Sequence, residues 1–313
     1  MLSRIADSLF WMNRYMERTD GLLRTLRYGY IASFDVNKEE PFSWEPVLAV
    51  FSHQNKKSRR KLAHKPNDVL RLLTHNLEER NSIKVMITRA RENARGAQDH
   101  ITKEVWEAVN QLYHTVNSVN IETTIENGEQ LTMLGNLIDE SLSYYGVTDI
   151  TMPRGSGWNY LNLGRYTERC LQTLDIVDVE FSQVDYDMDS ARHIVYWKNM
   201  LLCLSGYELY LKTYRTGNHS ENIIDMTFFN TQFPRSVMYS LKRVGHYLQQ
   251  VLDENEHENK KIIERKMGKL FATAAYADLY EIKEKGLHDF IVSIKKQLFE
   301  LHQMVGQSFF SYY

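Results

Sequence analysis

The pentapeptide RYMER at residues 14–18 recurs with one substitution as RYTER at residues 165–169. A second pair of similar segments follows in the same order, NSIKVMITRA at residues 81–90 and RSVMYSLKRV at residues 235–244. The first match also extends to flanking positions, which pair Leu9 with Tyr160, Met12 with Leu163, Leu23 with Leu174 and Leu26 with Val177. Two matches in the same order indicate a tandem duplication. We therefore predict two related helical units, residues 1–150 and residues 151–313, packed against each other.

The repeated motif lies in a segment with helical periodicity. Its apolar residues recur at steps of three, four or seven: Leu2, Ile5, Leu9, Met12, Met16, Leu23, Leu26 and Tyr30. This spacing is typical of an amphipathic helix. Five prolines in 313 residues favour long uninterrupted helices.

No segment shows sustained strand alternation, so the sequence predicts an all-α fold of about ten to twelve helices. One short helix is expected near residues 44–51, inside an otherwise irregular connection over residues 32–66 that includes the basic run KKSRRK. The remaining helices are predicted at residues 67–79, 82–98, 102–119, 130–145, 159–181, 189–214, 220–230, 234–252, 260–285 and 287–310. Glycine, proline and serine at residues 146–157 predict a linker between the two units.

The overall charge and the cysteine content restrict the class of protein. A formal net charge of −2 argues against a general nucleic-acid binder. The N-terminal segment lacks the apolar core of a signal peptide, and no later segment is long and apolar enough for a bilayer. Cys170 and Cys203 have no metal-binding or redox spacing, so we expect reduced thiols. These features predict a cytoplasmic protein that does not bind membranes.

The repeated charges define the candidate site. At 100° per residue, Arg14, Glu17 and Arg18 share one helix face, opposite the apolar stripe. Because Phe10 and Trp11 border this charged face, we expect neighbours on both sides of the helix. The second copy places Arg165, Glu168 and Arg169 in the same arrangement.

A covered glutamate requires a partner, because an unpaired buried charge is expensive. The segment RARENAR offers donors in Arg89, Arg91 and Arg95, with Glu92 between them. We predict that Glu17 contacts this helix through arginine–carboxylate pairs. The corresponding positions of the second half read Gly245, His246 and Gln249, so Glu168 must use another donor. The candidate donors for Glu168 are Arg235 and Arg243.

These motifs together resemble the alpha-E family, bacterial all-helical proteins with an "ER" motif that typically occurs as a tandem duplication. The resemblance is carried by residues 6–20, 81–99, 104–113, 157–170 and 233–241. Genes of this family tend to lie beside circularly permuted ATP-grasp ligases, transglutaminase-like cysteine peptidases and an NTN-hydrolase-type peptidase. The resemblance therefore implies a part in a peptide synthesis or modification system, without specifying which part.

The residues themselves offer little for catalysis. There is no glycine-rich phosphate loop. The Glu-x-x-His spacing of di-iron bundles occurs once, at Glu254 and His257, where two are required. We therefore expect no metal and no cofactor.

Three roles remain open for Glu17 and Glu168. They can form ion pairs that fix helix packing, bind a peptide, carboxylate or partner protein, or act as an acid–base pair in a cleft between the repeats. We expect a non-catalytic helical accessory protein that binds the ATP-grasp ligase, the transglutaminase-like peptidase or a peptide. The alternative is an enzyme of the same pathway that uses the Glu–Arg pairs. Sealed glutamates would argue against the alternative.

Overall fold

The computed structural model describes residues 1–34, 42–189, 194–215, 218–255 and 257–310. These residues form sixteen α-helices, one short 3₁₀-helix and one π-helical turn, and no strand occurs among them. The predicted all-α class is therefore confirmed, whereas the predicted number of ten to twelve helices is too low.

The chain divides into two compact units. The N-terminal unit comprises Trp11–Pro153, and the C-terminal unit comprises Met1–Phe10 together with Arg154–Tyr313. The first helix, α1 (Ser3–Ala32), contributes its first turns to the C-terminal unit and the rest to the N-terminal unit. The predicted repeats at 1–150 and 151–313, and the duplication behind them, stay predictions.

The N-terminal unit contains seven helices after α1. In chain order they are α2 (Glu45–Phe51), α3 (Lys56–Leu62), α4 (Pro66–His75), α5 (Ile83–Gly96), α6 (Lys103–Ser118), α7 (Ile121–Glu126) and α8 (Gln130–Thr151), with the 3₁₀-helix Gln98–His100 after α5. Helix α6 packs between α5 and α8, and α4 packs on α5. The apolar faces of these helices, such as Ile87 in α5 and Leu112 in α6, are fully buried.

The C-terminal unit contains eight further helices. They are α9 (Ser156–Ser182), α10 (Ile194–Cys203), α11 (Tyr207–Thr213), α12 (His219–Ile224), α13 (Val237–Glu254), α14 (Lys260–Ala275), α15 (Leu279–Lys285) and α16 (Leu287–Phe309), with the π-helical turn Asp225–Phe229 after α12. Four of them pack in a ring, because α9 contacts α13, α13 contacts α14, α14 contacts α16 and α16 contacts α9.

The start of α1 completes this four-helix arrangement. The Phe10 ring lies 5.2 Å from the ring of His302 in α16 and 5.0 Å from that of Phe310. Gly164 of α9 sits so close to α1 that a Cβ atom there would lie 2.2 Å from the Phe10 carbonyl oxygen. Glycine is required here because two helix backbones approach closely.

Equivalent serines begin the two helices that carry the second sequence match. The Ser82 side chain accepts a hydrogen bond from the Val85 amide at the start of α5, and Ser236 accepts one from the Tyr239 amide at the start of α13. A serine at this position satisfies an amide that has no partner within the helix. The matched segments therefore share a local structure as well as a sequence pattern.

The additional helices arise where a helix predicted as continuous is interrupted or where a predicted loop is helical. The predicted helix over residues 189–214 is broken near Ser205, which has a φ of 55°, and Gly206. The predicted helix over residues 260–285 is interrupted before Asp278, whose side chain caps α15. The basic run KKSRRK forms the short exposed helix α3 rather than a loop.

Helix α8 runs through Gly146, where the sequence predicts a stop. A Cβ atom at Gly146 would meet nothing within 4 Å, so this glycine faces open space and neither caps the helix nor permits a close approach. The connection to α9 therefore begins after Thr151, whereas the sequence predicts that it begins at Gly146.

Two further features concern solvent exposure. Cys170 is buried, and burial raises the pKa of its thiol to about 12, while Cys203 is partly exposed.

None of the described helices combines the length and the apolar character needed to cross a bilayer.

Candidate functional site

The first ER motif lies in the middle of α1, a helix that is covered on both sides. Met12 and Met16 of the apolar stripe are fully buried, and so is Glu17 on the opposite face. Arg14 is 6% exposed, and Arg18 is half-buried. The prediction that this helix is covered on both faces is confirmed.

Two consecutive tyrosines of α8 reach the polar face of α1. Tyr145 donates a hydrogen bond of 2.9 Å to Glu17 Oε2, and Tyr144 donates one of 2.8 Å to Asn13 Oδ1. Both acceptors are buried, so each bond satisfies a polar atom that water reaches poorly. The sequence does not single out these tyrosines, apart from their being adjacent within a predicted helix.

Arg18 connects the motif to the start of α5. Its Nη1 donates a hydrogen bond of 3.2 Å to Asn81 Oδ1, and Asn81 directly precedes the capping residue Ser82. The Asn81 amide in turn donates to the buried carboxylate of Glu79 at 3.3 Å. Glu79 also accepts from His53 Nδ1 at 2.8 Å and from the His53 amide. Arg18 thus links α1 to the segment that leads into α5.

One turn further along α1, Asp20 pairs with Arg24. The Arg24 Nε lies 3.0 and 3.1 Å from the two carboxylate oxygens. Burial by itself would lower the pKa of the guanidinium group, but the charge of Asp20, its hydrogen bond and the nearby charge of Glu17 raise that pKa above its usual value. The face therefore carries alternating charges from Glu17 to Arg24.

The second ER motif repeats the connection made by the first. Glu168 and Arg169 of α9 are both buried, with 2% and 7% of their surfaces exposed. Arg169 Nη1 donates to the Pro234 carbonyl oxygen at 3.4 Å, two residues before the capping residue Ser236. Thr173 donates a hydrogen bond of 2.7 Å to the Arg235 carbonyl oxygen. In each unit, the ER arginine holds the segment that leads into a serine-capped helix.

The second motif also lies beside stacked aromatic rings. The guanidinium groups of Arg165 and Arg169 lie 5.7 and 5.2 Å from the Tyr166 ring centre. Tyr166 in turn stacks on Tyr247 of α13, with ring centres 5.9 Å apart. These distances allow cation–π attraction, which favours arginine over lysine at these positions.

Asp175, two turns beyond Glu168 on α9, has a perturbed carboxyl group. Burial raises the pKa of Asp175, and the nearby charge of Glu168 adds to this rise, whereas the hydrogen bond from Lys295 opposes it. Lys295 therefore supplies the positive charge that Asp175 pairs with on this side of α9.

The predicted contact between Glu17 and the arginines of α5 is wrong for the residues named. Arg91 Nε donates to Asn110 Oδ1 of α6 at 2.8 Å, and Arg91 and Arg95 both pair with Glu92, at 3.6 and 2.8 Å. Glu92 lies on the same helix within one turn of both arginines, so it satisfies them without a tertiary contact. Arg89 lies on the other flank of α5, 5.9 Å from the Tyr15 ring centre.

These residues form a surface that we call the arginine face: Arg91 and Arg95 of α5 with Trp106 and Tyr113 of α6. The Arg91 guanidinium lies 4.5 Å from the Tyr113 ring centre and 5.6 Å from that of Trp106. Its side chain is 24% exposed, and that of Arg95 is 64% exposed. The Arg91 guanidinium is therefore held by Asn110 and two aromatic rings, whereas the exposed Arg95 pairs with the exposed Glu92.

Of the two donors predicted for Glu168, Arg243 is wrong. Its side chain is exposed and donates to the Tyr239 hydroxyl at 3.3 Å, one turn earlier on α13. Arg235 is buried, as a partner of a buried carboxylate would be, and its pairing with Glu168 stays a prediction.

A comparison with protein families agrees with this arrangement. A family model described as a predicted alpha-helical domain with a conserved ER motif matches residues 1–310. The chain belongs to the alpha-E family. No curated protein and no solved structure shows significant similarity to it.

In this alpha-E protein, the sequence spacing that resembles a di-iron ligand set serves packing instead. Glu254 accepts a hydrogen bond of 2.9 Å from Asn159, and the His257 ring lies 5.4 Å from that of Phe309. Among the described residues, no group of three or more histidine, cysteine or acidic side chains is arranged to hold a metal ion.

The two parts of the candidate site therefore offer different chemistry. The ER glutamates and arginines are buried and engaged within the helical framework of the alpha-E fold. The arginine face offers a partly exposed Arg91 on an aromatic support and an exposed Arg95, both close to Glu92; guanidinium groups of this kind suit the recognition of carboxylates or phosphates.

Proposed function

We propose that this alpha-E protein is a non-catalytic helical accessory protein of a cytoplasmic peptide synthesis or modification system. Its partner is the circularly permuted ATP-grasp ligase, the transglutaminase-like peptidase or their peptide, as the family resemblance implies. We further propose that the two units arose by duplication. The shared role of Arg18 and Arg169 before a serine-capped helix supports this origin.

The observation that carries the proposal is the contrast in exposure between the two clusters. A general acid or base must come within hydrogen-bond reach of its substrate. Glu17 is fully buried and accepts a hydrogen bond from Tyr145, which supports a structural role for this carboxylate. Arg95 is exposed, which supports a role in recognition.

The composition of the arginine face also favours a protein partner. Tryptophan, tyrosine and arginine are the residues that contribute most to protein–protein binding energy. Arg91 is already ordered by Asn110 and Tyr113, so binding would cost it little additional side-chain entropy. We expect acidic side chains of the partner to pair with Arg91 and Arg95.

Co-purification with the neighbouring ligase and peptidase tests the partner. We expect association at micromolar concentration with at least one of them. The Arg91→Ala/Arg95→Ala variant should weaken it about tenfold or more. Arg89→Ala is the matched control, since it removes the same side chain from the other flank of α5 and should leave the affinity unchanged.

Three results would contradict the proposal. Absence of association with either partner at micromolar concentration would reject the accessory role. Glu17→Gln that abolishes a measured turnover without changing the melting temperature would favour the enzyme alternative. Equal weakening by the Arg89 variant would show that the arginine face is the wrong surface.

A further inference from the structure

A groove of about 440 Å³ lies in the C-terminal unit between the end of α14, helix α15 and the start of α16. Its apolar lining includes Ile282 and Phe290, which are 1% and 9% exposed. The volume is within the range of sites that hold small ligands or single peptide segments. The groove has no part in the contacts of the ER motifs described above.

The charges around the groove favour a cation. Lys285 lies 3.5 Å from Glu281, so these two side chains largely neutralise each other. The Asp289 side chain also lines the groove and makes no ion pair or hydrogen bond among the described residues. Asp289 lies in the first turn of α16, where the positive end of the helix favours its ionised form, and its carboxylate faces the groove without a cationic side chain paired to it in the part of the chain that the structure describes.

The C-terminal end of α14 also favours a cation in the groove. This sixteen-residue helix has no basic residue in its last turn, and Thr273 of that turn lines the groove. The C-terminal end of a helix carries a partial negative charge that stabilises nearby cations. The groove thus combines the Asp289 carboxylate with the negative end of a helix.

Two exposed tyrosines accompany the groove. Tyr276, in its wall, is 84% exposed, and Tyr280 in the adjoining α15 is 72% exposed. The faces of tyrosine rings attract ammonium and guanidinium groups. Their exposed ring faces are therefore open to a bound peptide.

We propose that this groove binds a lysine side chain of an extended peptide segment. The ammonium group pairs with Asp289, the methylene stem packs on Ile282 and Phe290, and Tyr276 covers the stem or the adjacent peptide bond. A peptide fits better than a free amine because the groove is larger than one side chain and much of its lining is apolar. Binding here is independent of the arginine face, which lies in the other unit.

Saturation-transfer NMR with the full chain tests this site. The probes are the capped tripeptide acetyl-Ala-Lys-Ala-amide and its norleucine analogue, which keeps the stem and lacks the charge. We expect the lysine peptide to bind in the millimolar range and the analogue to bind several-fold more weakly. Asp289→Asn should weaken the lysine peptide by about the same several-fold factor and should not change the weaker binding of the analogue.

The control variant is Glu284→Gln, which removes one exposed charge from α15 outside the groove lining and should leave binding unchanged. Melting temperatures of both variants should equal that of the parent, so loss of binding cannot come from unfolding. Equal binding of both peptides, or no effect of Asp289→Asn, would overturn the site. Spermidine that binds as tightly as the peptide, with the same dependence on Asp289, would overturn the peptide assignment. These outcomes are independent of ligase or peptidase co-purification.

Discussion

Gly164→Ala tests the closest helix contact of the molecule. A methyl group there would lie 2.2 Å from the Phe10 carbonyl oxygen and 3.0 Å from its carbonyl carbon, whereas ordinary contact begins near 3.4 Å. All three nearest atoms belong to backbone, so no side-chain rotation relieves the clash. The α1 and α9 backbones must therefore move apart by about 1 Å, and a gap of this size removes a quarter to a half of each dispersion contact.

The magnitude follows from two opposing effects. Overpacking a tight contact costs about 1–3 kcal/mol, or more when backbone must shift. Alanine recovers about 1 kcal/mol because it is a better helix former than glycine. We expect a net loss of about 2 kcal/mol, which corresponds to a fall of roughly 4–8 °C in the melting temperature of a unit this large.

Thermal and urea unfolding measure this change. Gly268→Ala is the matched control, because Gly268 lies within α14 of the same unit and a Cβ there meets nothing within 4 Å. The control should be neutral or stabilised by up to about 1 kcal/mol. A second variant, Gly164→Ala with Phe10→Leu, should not recover stability, since the clash is with the main chain. If Gly164→Ala melts at or above the parent temperature, the close approach of the two helices is wrong.

Three further changes test buried polar groups. Tyr145→Phe should lower the free energy of unfolding by about 1–3 kcal/mol, because Glu17 loses a donor, while Tyr276→Phe on the exposed surface should change it little. Glu79→Ala should lower it by about 2–3 kcal/mol, because several amide and imidazole donors lose one acceptor. Burial raises the pKa of Glu180 from 4.5 to about 7, so the folded state retains a proton that the unfolded chain releases. Stability should therefore fall as pH rises from about 5 to about 7 and level off above, and Glu180→Gln should remove about 1–2 kcal/mol of this dependence.

Urea titrations at several pH values check all three. A Tyr145 variant as stable as the Tyr276 variant would contradict the bond to Glu17. An unchanged Glu79 variant would show that its acceptor role is dispensable. A Glu180→Gln variant with the pH profile of the parent would place the titrating group elsewhere.

The apolar pattern predicted most of the long helices. Each of these helices buries one face, so its apolar residues recur every three or four positions in the sequence. Serine and threonine before apolar runs likewise mark real helix starts, as at Thr102 and Ser236. The pattern failed where local preference and tertiary structure disagree. Gly146 signals a stop by propensity, yet packing on the buried side of α8 carries the helix past it.

The covered state of Glu17 could be predicted, because apolar residues border its face. Its partner could not, since Tyr145 is 128 residues away in the chain and tyrosine carries no charge to suggest a pairing. The arginines of α5 looked like the natural partners, but Glu92 satisfies them locally at one turn's distance. The sequence indicates that a buried charge needs a partner, but the identity of that partner depends on how the helices pack.

The ring contacts of Phe10 with His302 and Phe310 join residues that are about 300 positions apart in the sequence. During synthesis, the first turns of the chain leave the ribosome long before the residues that cover them exist. Their apolar side chains stay exposed until α16 has been synthesised, and closing so long a loop is slow. A fragment that begins at Arg154 would lack this N-terminal piece and leave the surface around Gly164 uncovered. Expression of the two halves as separate polypeptides should therefore yield a C-terminal half that aggregates unless the first ten residues are supplied with it.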